Sequence, residues 1–342
     1  LARTVVNAVG YTACLPVTDP ACLVDLELPM PQATGRDLLV KVMAVSVNPV
    51  DTKVRRAVAP PAGEARVLGF DAAGVVEAVG PGVTGFKPGD EVWYAGSRAR
   101  SGSNAEYHLV DERIVGFKPR RLDFAQAAAM PLTTITAWEA LFDRLRLRIG
   151  KPAGQGALLI TGAAGGVGSI AIQLAKVLTA TTVIATASRP ESEAHVRALG
   201  ADLVLDHSKP LSQELQRVGL RWVESIFSVT HTHLHFPELA RCIAPQGQIC
   251  VIDDPEPIDV RLLKARCAAL HWEAMFTRSG FETADMAAQG QLLTETARLV
   301  DAGLIHGTHT ATLGPIDAAH LRQAHAAVES QRTIGKVVLA GF

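Results

Sequence analysis

The sequence predicts a two-part α/β chain, an irregular β barrel joined to a doubly wound parallel sheet, and three observations carry that expectation. Between Asp37 and about Val115, short β-rich runs (Leu38–Val42, Gly74–Val79, Glu91–Tyr94) alternate with turns such as Gly80-Pro81-Gly82 and Lys87-Pro88-Gly89-Asp90. From about Thr133, strand-like runs at 157–161, 182–187, 203–206, 225–229 and 248–253 are interleaved with helix-like runs at 169–178 and 191–199, the texture of successive βαβ units. A glycine-rich turn stands between the first of those strands and the first helix. The tail adds a helix over 318–329 and a strand over 335–340, so the C-terminus is expected to complete the barrel. The expected domains are 1–132 with 286–342, and 133–285.

Composition agrees with such a chain and narrows its partners. At 342 residues there is room for two domains, and 48% hydrophobic against 20% charged residues describes a folded protein. Thirty-three Lys and Arg against 34 Asp and Glu leave a formal charge of −1; no global field draws the chain to nucleic acid or to an anionic membrane. Five cysteines at irregular spacings, with no C-x-x-C, suggest neither a disulfide framework nor a zinc cluster. A reducing, cytoplasmic setting is expected. Gly10, Pro16 and Asp19 interrupt the start before a leader-like apolar run develops. The most apolar stretch, 157–187, contains a glycine cluster and Lys176, which reads as strand, turn and helix rather than a membrane span.

Function begins at Leu158-Leu159-Ile160-Thr161-Gly162-Ala163-Ala164-Gly165-Gly166-Val167-Gly168-Ser169. The spacing of Gly162, Gly165 and Gly168 is G-x-x-G-x-x-G, a variant of the dinucleotide fingerprint, with Gly166 and Val167 opening the helix. Glycines permit a tight turn and close backbone approach to a pyrophosphate, and the helix N-terminus offers free N–H groups. About twenty residues on, the second strand ends at Ser188-Arg189-Pro190 rather than at the acid that would accept from a ribose 2′-hydroxyl. A serine and a guanidinium suit a 2′-phosphate, so NADPH is expected over NADH. His207, after the next strand, is placed to approach the same adenosine pocket.

At this point the chain resembles the medium-chain dehydrogenase/reductase superfamily over nearly its whole length. The resemblance is carried by Gly69-Phe70-Asp71-Ala72-Ala73-Gly74-Val75-Val76, Gly85-Phe86-Lys87-Pro88-Gly89-Asp90-Glu91-Val92, Pro131-Leu132-Thr133-Thr134-Ile135-Thr136-Ala137-Trp138 and the glycine turn. Ser46-Val47-Asn48-Pro49-Val50-Asp51-Thr52-Lys53, His231-Thr232-His233 and Met275–Ser279 bring it nearest to zinc-type alcohol dehydrogenase-like proteins, beside the quinone oxidoreductases. The resemblance implies a GroES-like catalytic domain, a Rossmann cofactor domain and a homodimer. It also places Asn48, Phe70 and Leu132 where zinc alcohol dehydrogenases carry a cysteine, a histidine and a second cysteine. A phenyl ring and an aliphatic side chain cannot ligate zinc, and no four-cysteine loop is present; no zinc is expected.

By the same resemblance Asn48 and Asp51, in an N-x-x-D pattern, line the nicotinamide pocket as the catalytic pair, although Asn-Pro also reads as a turn with Asp51 capping the next segment. The tyrosine that quinone reductases place shortly afterwards is absent, with Ala59 near its position. Thr136 is implied to face the nicotinamide or its phosphates, and Lys336 to reach the pyrophosphate. His231, His233 and His235 would share one face of a strand and could bind metal, but the segment follows an apolar strand and is read instead as a loop at the carboxyl end of the sheet. The Gly/Ser-rich loop 96–103, with Arg98 and Arg100, reads either as a lid or as a solvated loop. Trp272, Met275 and Phe276 are candidates to line the substrate pocket.

The leading expectation is zinc-independent, NADPH-dependent reduction of an electrophilic small molecule such as a quinone or an α,β-unsaturated carbonyl. Carbonyl or alcohol redox chemistry within the same superfamily is the alternative enzyme. A non-catalytic NADPH sensor is the alternative outside catalysis.

Overall fold

The computed structural model describes residues 4–154 and 156–342. Residues 1–3, with which the leader reading begins, and Gln155 lie outside the described residues. The chain divides into two compact units, one running to Leu132 and resuming at Phe276, the other Thr133–Met275. The second crossing falls ten residues before the 285/286 boundary expected. At that crossing the Phe276 ring stands edge-on to Phe70, in the same unit, with centroids 5.3 Å apart at 71°.

The second unit holds a six-stranded sheet in the order 203–205, 182–186, 157–160, 223–228, 243–251, 269–272, with every pairing parallel. Numbered along the chain that order is 3-2-1-4-5-6, the doubly wound dinucleotide-binding arrangement. Its strands are apolar runs rather than alternating ones because helices cover both faces; Ala157–Ile160 is buried at every position. Leu159, Ile184, Ile226 and Ile249 pack with Phe236 and Leu239 of the helix Thr232–Cys242 to form one face of the core.

In the first unit a small antiparallel sheet (24–29, 5–11, 66–67) accompanies a larger one in the order 309–312, 336–340, 37–46, 72–79, 91–94, 115–117, with 107–111 also paired to 37–46. The ten-residue strand Asp37–Ser46 is the axis of this sheet. The C-terminal strand Lys336–Ala340 lies antiparallel to it with Val338 opposite Ser46. Continuing that register by two residues sets Lys336 opposite Asn48. On the other side Val45 faces Ala72, and the Ser46 N–H donates to the Asp71 carbonyl at 3.1 Å. Three segments distant in sequence therefore converge on one end of one strand. Among the described residues no helix is long and apolar enough to cross a membrane.

Candidate active site

The first unit gathers Asn48, Asp51, Asp71 and Lys336 in its interior. Asn48 immediately precedes the helix Pro49–Ala57, whose first residue is a proline suited to that position. The Asp51 carboxylate folds back to accept the Asn48 N–H at 2.8 Å and, with its other oxygen, the Gly69 N–H at 3.0 Å. Asp51 thus caps its own helix, as the residues alone allowed, and also ties it to the segment 69–71. Burial pushes its carboxyl up to about 7, against the pull of those two N–H groups and of Lys336.

The Asn48 side chain is held at both ends. Its Nδ2 donates to Asp71 Oδ2 at 2.9 Å, and its Oδ1 accepts from the Lys336 ammonium. The same ammonium donates to Asp71 Oδ2 at 2.9 Å and to the Val47 carbonyl at 3.3 Å, while Asp71 Oδ1 accepts the Leu132 N–H at 2.9 Å. Burial pushes the Asp71 carboxyl upward, opposed chiefly by Lys336. The three N–H donors of Lys336 meet three acceptors inside the first unit, so the reach toward a pyrophosphate expected of it is not the arrangement found. One N–H of the Asn48 amide has no partner among the described residues.

Asp71 escaped attention as a site residue, although it stands out as an acid within the apolar run Leu68–Ala73. Such a residue almost always has a charged partner when buried. Finding Lys336 as that partner needed the strand register.

A zinc ion does not fit this donor set. Asn48 already has both ends of its amide engaged, Phe70 packs on Phe276, the Leu132 side chain has no atom that can ligate a metal, and a buried ammonium within hydrogen-bonding distance of Asn48 and Asp71 would repel a dication. Among the described residues no group of three or more His, Cys, Asp or Glu is arranged to hold a metal. The three neighbouring histidines lie neither on a strand nor in the loop expected: His231 stands before the helix Thr232–Cys242 in a left-handed conformation, φ 52°, and His233 and His235 lie on that helix. Side chains two apart on a helix point in nearly opposite directions.

The loop 96–103 is tethered rather than loosely solvated. Arg100 pairs with Asp37 through both guanidinium nitrogens at 2.6 and 3.2 Å, the Ser101 carbonyl lies 2.8 Å from His108 Nε2, and Arg98 lies 6.0 Å from the Phe276 ring centroid. Of the suggested pocket residues, Phe276 belongs to this unit. Trp272 and Met275 belong to the other, the first exposed and the second buried.

The second unit contains the glycine turn in the predicted setting, after the strand Ala157–Ile160 and before the helix Gly166–Leu178. Gly162 adopts φ +62°, which an L side chain resists. A Cβ at Gly168 would stand 2.4 Å from the Ala163 carbonyl oxygen, so only glycine lets helix and turn pack this closely. A Cβ at Gly165 would meet only the Gly162 carbonyl, at 3.5 Å. That open side, with the first N–H groups of a thirteen-residue helix, fits a dinucleotide pyrophosphate.

At the next strand end Ser188 and His207 come together, Oγ to Nε2 at 3.2 Å, and Arg189 stands between Ser188 and the helix Pro190–Ala198. Thr136 is buried on the helix Pro131–Trp138. Sequence reasoning missed a second buried charge cluster in this unit. Glu273 accepts from Arg144 Nε at 2.9 Å, and burial with the neighbouring Glu139 carboxylate pushes its carboxyl well above the usual range.

The alcohol dehydrogenase GroES-like domain family matches residues 34–135, and the zinc-binding dehydrogenase family matches residues 166–266. A zinc-type alcohol dehydrogenase-like protein of Staphylococcus epidermidis is 37% identical over 335 residues, 97% of this chain and 99% of that one. A solved structure from Rhizobium etli CFN 42, whose name provisionally assigns it as a zinc-dependent alcohol dehydrogenase, superposes with a TM-score of 0.95 at 57% identity, covering 99% of this chain and 98% of that one. The chloroplastic NADPH-dependent alkenal/one oxidoreductase of Arabidopsis thaliana is 42% identical over 196 residues, 54% of this chain and 49% of that protein. With its two domains, its parallel sheet order and its glycine turn thus matched across essentially the full length, the chain belongs to the medium-chain dehydrogenase/reductase superfamily, among the zinc-type alcohol dehydrogenase-like proteins.

Proposed function

We propose that this oxidoreductase uses NADPH, without zinc, to reduce an activated acceptor such as a quinone or an α,β-unsaturated carbonyl. The observation that carries the reading is the Asn48 amide, fixed by Asp71 on one side and Lys336 on the other with one N–H uncommitted. NADPH, when bound, supplies the hydride from nicotinamide C4. Negative charge then develops on the acceptor oxygen, and a pre-oriented donor there lowers the barrier without reorganisation. Asn48 is assigned that role. Lys336, donating to the amide oxygen, draws electron density from the amide and makes its N–H a stronger donor. Asp71 fixes the amide, and Asp51 fixes the backbone beneath it, so both are positioning residues. The proton that completes the reduction comes from solvent.

For the cofactor, Gly162, Gly165, Gly166, Val167 and Gly168 are proposed to cradle the pyrophosphate, and Ser188, Arg189 and His207 the 2′-phosphate. Thr136 is retained as a contact on the nicotinamide side. The alkenal/one oxidoreductase named above is NADPH-dependent by name, which supports the choice. The proposal includes a cytoplasmic homodimer, for which the strand Ala269–Trp272, paired on one side only among the described residues, offers main-chain hydrogen bonds.

The test is NADPH oxidation over a panel of quinones, enals and simple ketones, with NADH in parallel and Arg189→Ala beside the native chain. Turnover of the first two classes is expected, with NADPH binding about ten- to a hundredfold weaker in Arg189→Ala and NADH nearly unchanged. Cofactor binding without turnover of any acceptor would instead point to a sensor.

A further inference from the structure

We propose that His207, one of the residues read above as holding the cofactor's 2′-phosphate, takes up a proton as that phosphate binds, so that preference for NADPH over NADH strengthens as pH falls. The inference rests on the cofactor reading above and concerns how that same site discriminates.

Three elements converge on the imidazole. From the end of the strand Thr182–Thr186 come Ser188, whose hydroxyl lies 3.2 Å from Nε2, and Arg189. From the end of the strand Leu203–Leu205 comes Asp206, whose carboxylate accepts from the Ser208 hydroxyl at 2.7 Å and lies 3.6 Å from the Lys209 ammonium. From the segment after the strand Val223–Ser228 come His231 and His235, the latter ring edge-on to His207 with centroids 6.1 Å apart. His233 and Asp253 lie beyond, acting on His235; the Asp253 carboxylate accepts the Thr232 N–H at 3.0 Å. This last segment also packs against the glycine turn, since a Cβ on Gly162 would stand 2.8 Å from Thr230 Cγ2.

Of the two ring nitrogens of His207, Nε2 is engaged with Ser188, and Nδ1 is buried with no hydrogen-bond partner among the described residues. Burial, with His231 and Arg189 nearby, holds the imidazole below its ordinary pKa against the pull of Asp206. Near neutral pH the ring is therefore uncharged. A 2′-phosphate carries close to two negative charges at neutral pH. Set between Ser188 and Arg189, it would give His207 the opposite charge that the free pocket supplies only weakly. NADH brings a hydroxyl to the same place and changes nothing.

Linkage fixes the sign. A histidine whose pKa rises on binding takes up a proton, and affinity then falls as pH rises through the window between the free and bound values, by at most tenfold per pH unit. The phosphate's own ionisation near pH 6 works in the opposite direction, so the part owed to His207 is read from a difference between proteins.

The experiment is calorimetric titration of the cofactor-free chain with NADPH and with NADH, in two buffers of different ionisation enthalpy, from pH 6 to 8. A fraction of a proton taken up with NADPH and none with NADH is expected, and the NADPH-to-NADH affinity ratio should fall about three- to tenfold per pH unit near neutrality. His207→Gln, which keeps a polar partner for Ser188, should abolish the uptake and flatten the ratio; the comparison of the two cofactors on the native chain needs no variant. A clear NADPH preference that is flat with pH, or an uptake unchanged in His207→Gln, overturns this role for His207 and leaves the cofactor reading standing. NADPH bound no more tightly than NADH at every pH overturns both.

Discussion

The Lys336 ammonium lies 2.9 Å from the Asp71 carboxylate, and the two side chains retain only 6% and 0% of their exposure. Such a pair gives little net stability, because desolvation offsets most of the attraction, but removing one partner leaves an uncompensated buried charge. Lys336→Met should therefore cost about 3 to 5 kcal/mol in urea unfolding. Replacing Asp71 by Asn as well should recover much of that loss. A double variant no more stable than the single one would show that the two charges do not act as a pair.

The donor set around Asn48 makes a second expectation concrete. Purified protein should carry no stoichiometric zinc by elemental analysis, and chelation should leave its activity unchanged. Added zinc should not raise the rate, since Asn48, Phe70 and Leu132 offer no thiolate or imidazole to hold it. One tightly held zinc per chain would overturn this.

How much of the site could be read in advance depended on whether its logic was local. The glycine turn was legible because turn, helix N-terminus and packing constraints all lie within 162–168, and the helix 318–329 appeared with its expected limits. Ser188 and His207 could be expected near one another by counting strand ends, which the parallel sheet repeats, and their side chains do meet. Lys336 was noticed but assigned a different contact, because its neighbours are set by antiparallel pairing across nearly three hundred residues. The Glu139 and Glu273 pair was invisible for the same reason. The histidines at 231, 233 and 235 could be weighed as a strand only until the helix Thr232–Cys242 set their directions.

The Glu273 carboxyl makes a stability prediction with a definite sign. Its folded-state pKa is raised, by burial and by Glu139, above the ordinary carboxyl value it has in the unfolded chain. The folded state therefore holds the proton more tightly, and its advantage declines as pH rises from the unfolded value upward through the folded one. Glu273→Gln has no proton to lose. Urea unfolding at pH 5, 7 and 9 should show the variant gaining on the native chain as pH rises. Parallel stability profiles for the two proteins would refute this account of the pair.

The reaction itself can be tested at Asn48. A zinc dehydrogenase oxidises simple alcohols because the metal lowers the pKa of a bound hydroxyl. An amide can donate a hydrogen bond but cannot deprotonate an alcohol. Asp51, although raised to about 7, has both carboxylate oxygens engaged by the N–H groups of Asn48 and Gly69 and is not placed to act as a base. Reduction of an already electrophilic acceptor asks less, namely a donor where negative charge appears. NADPH-dependent reduction of quinones or enals is therefore expected, with negligible oxidation of ethanol-like alcohols. Asn48→Ala should lower kcat by about ten- to a thousandfold with little change in NADPH affinity, because the contact strengthens chiefly in the transition state. Lys336→Met should lower kcat in the same direction but by less, since it weakens the donor without removing it. Unchanged kcat in Asn48→Ala, or vigorous alcohol oxidation by metal-free protein, would count decisively against this mechanism.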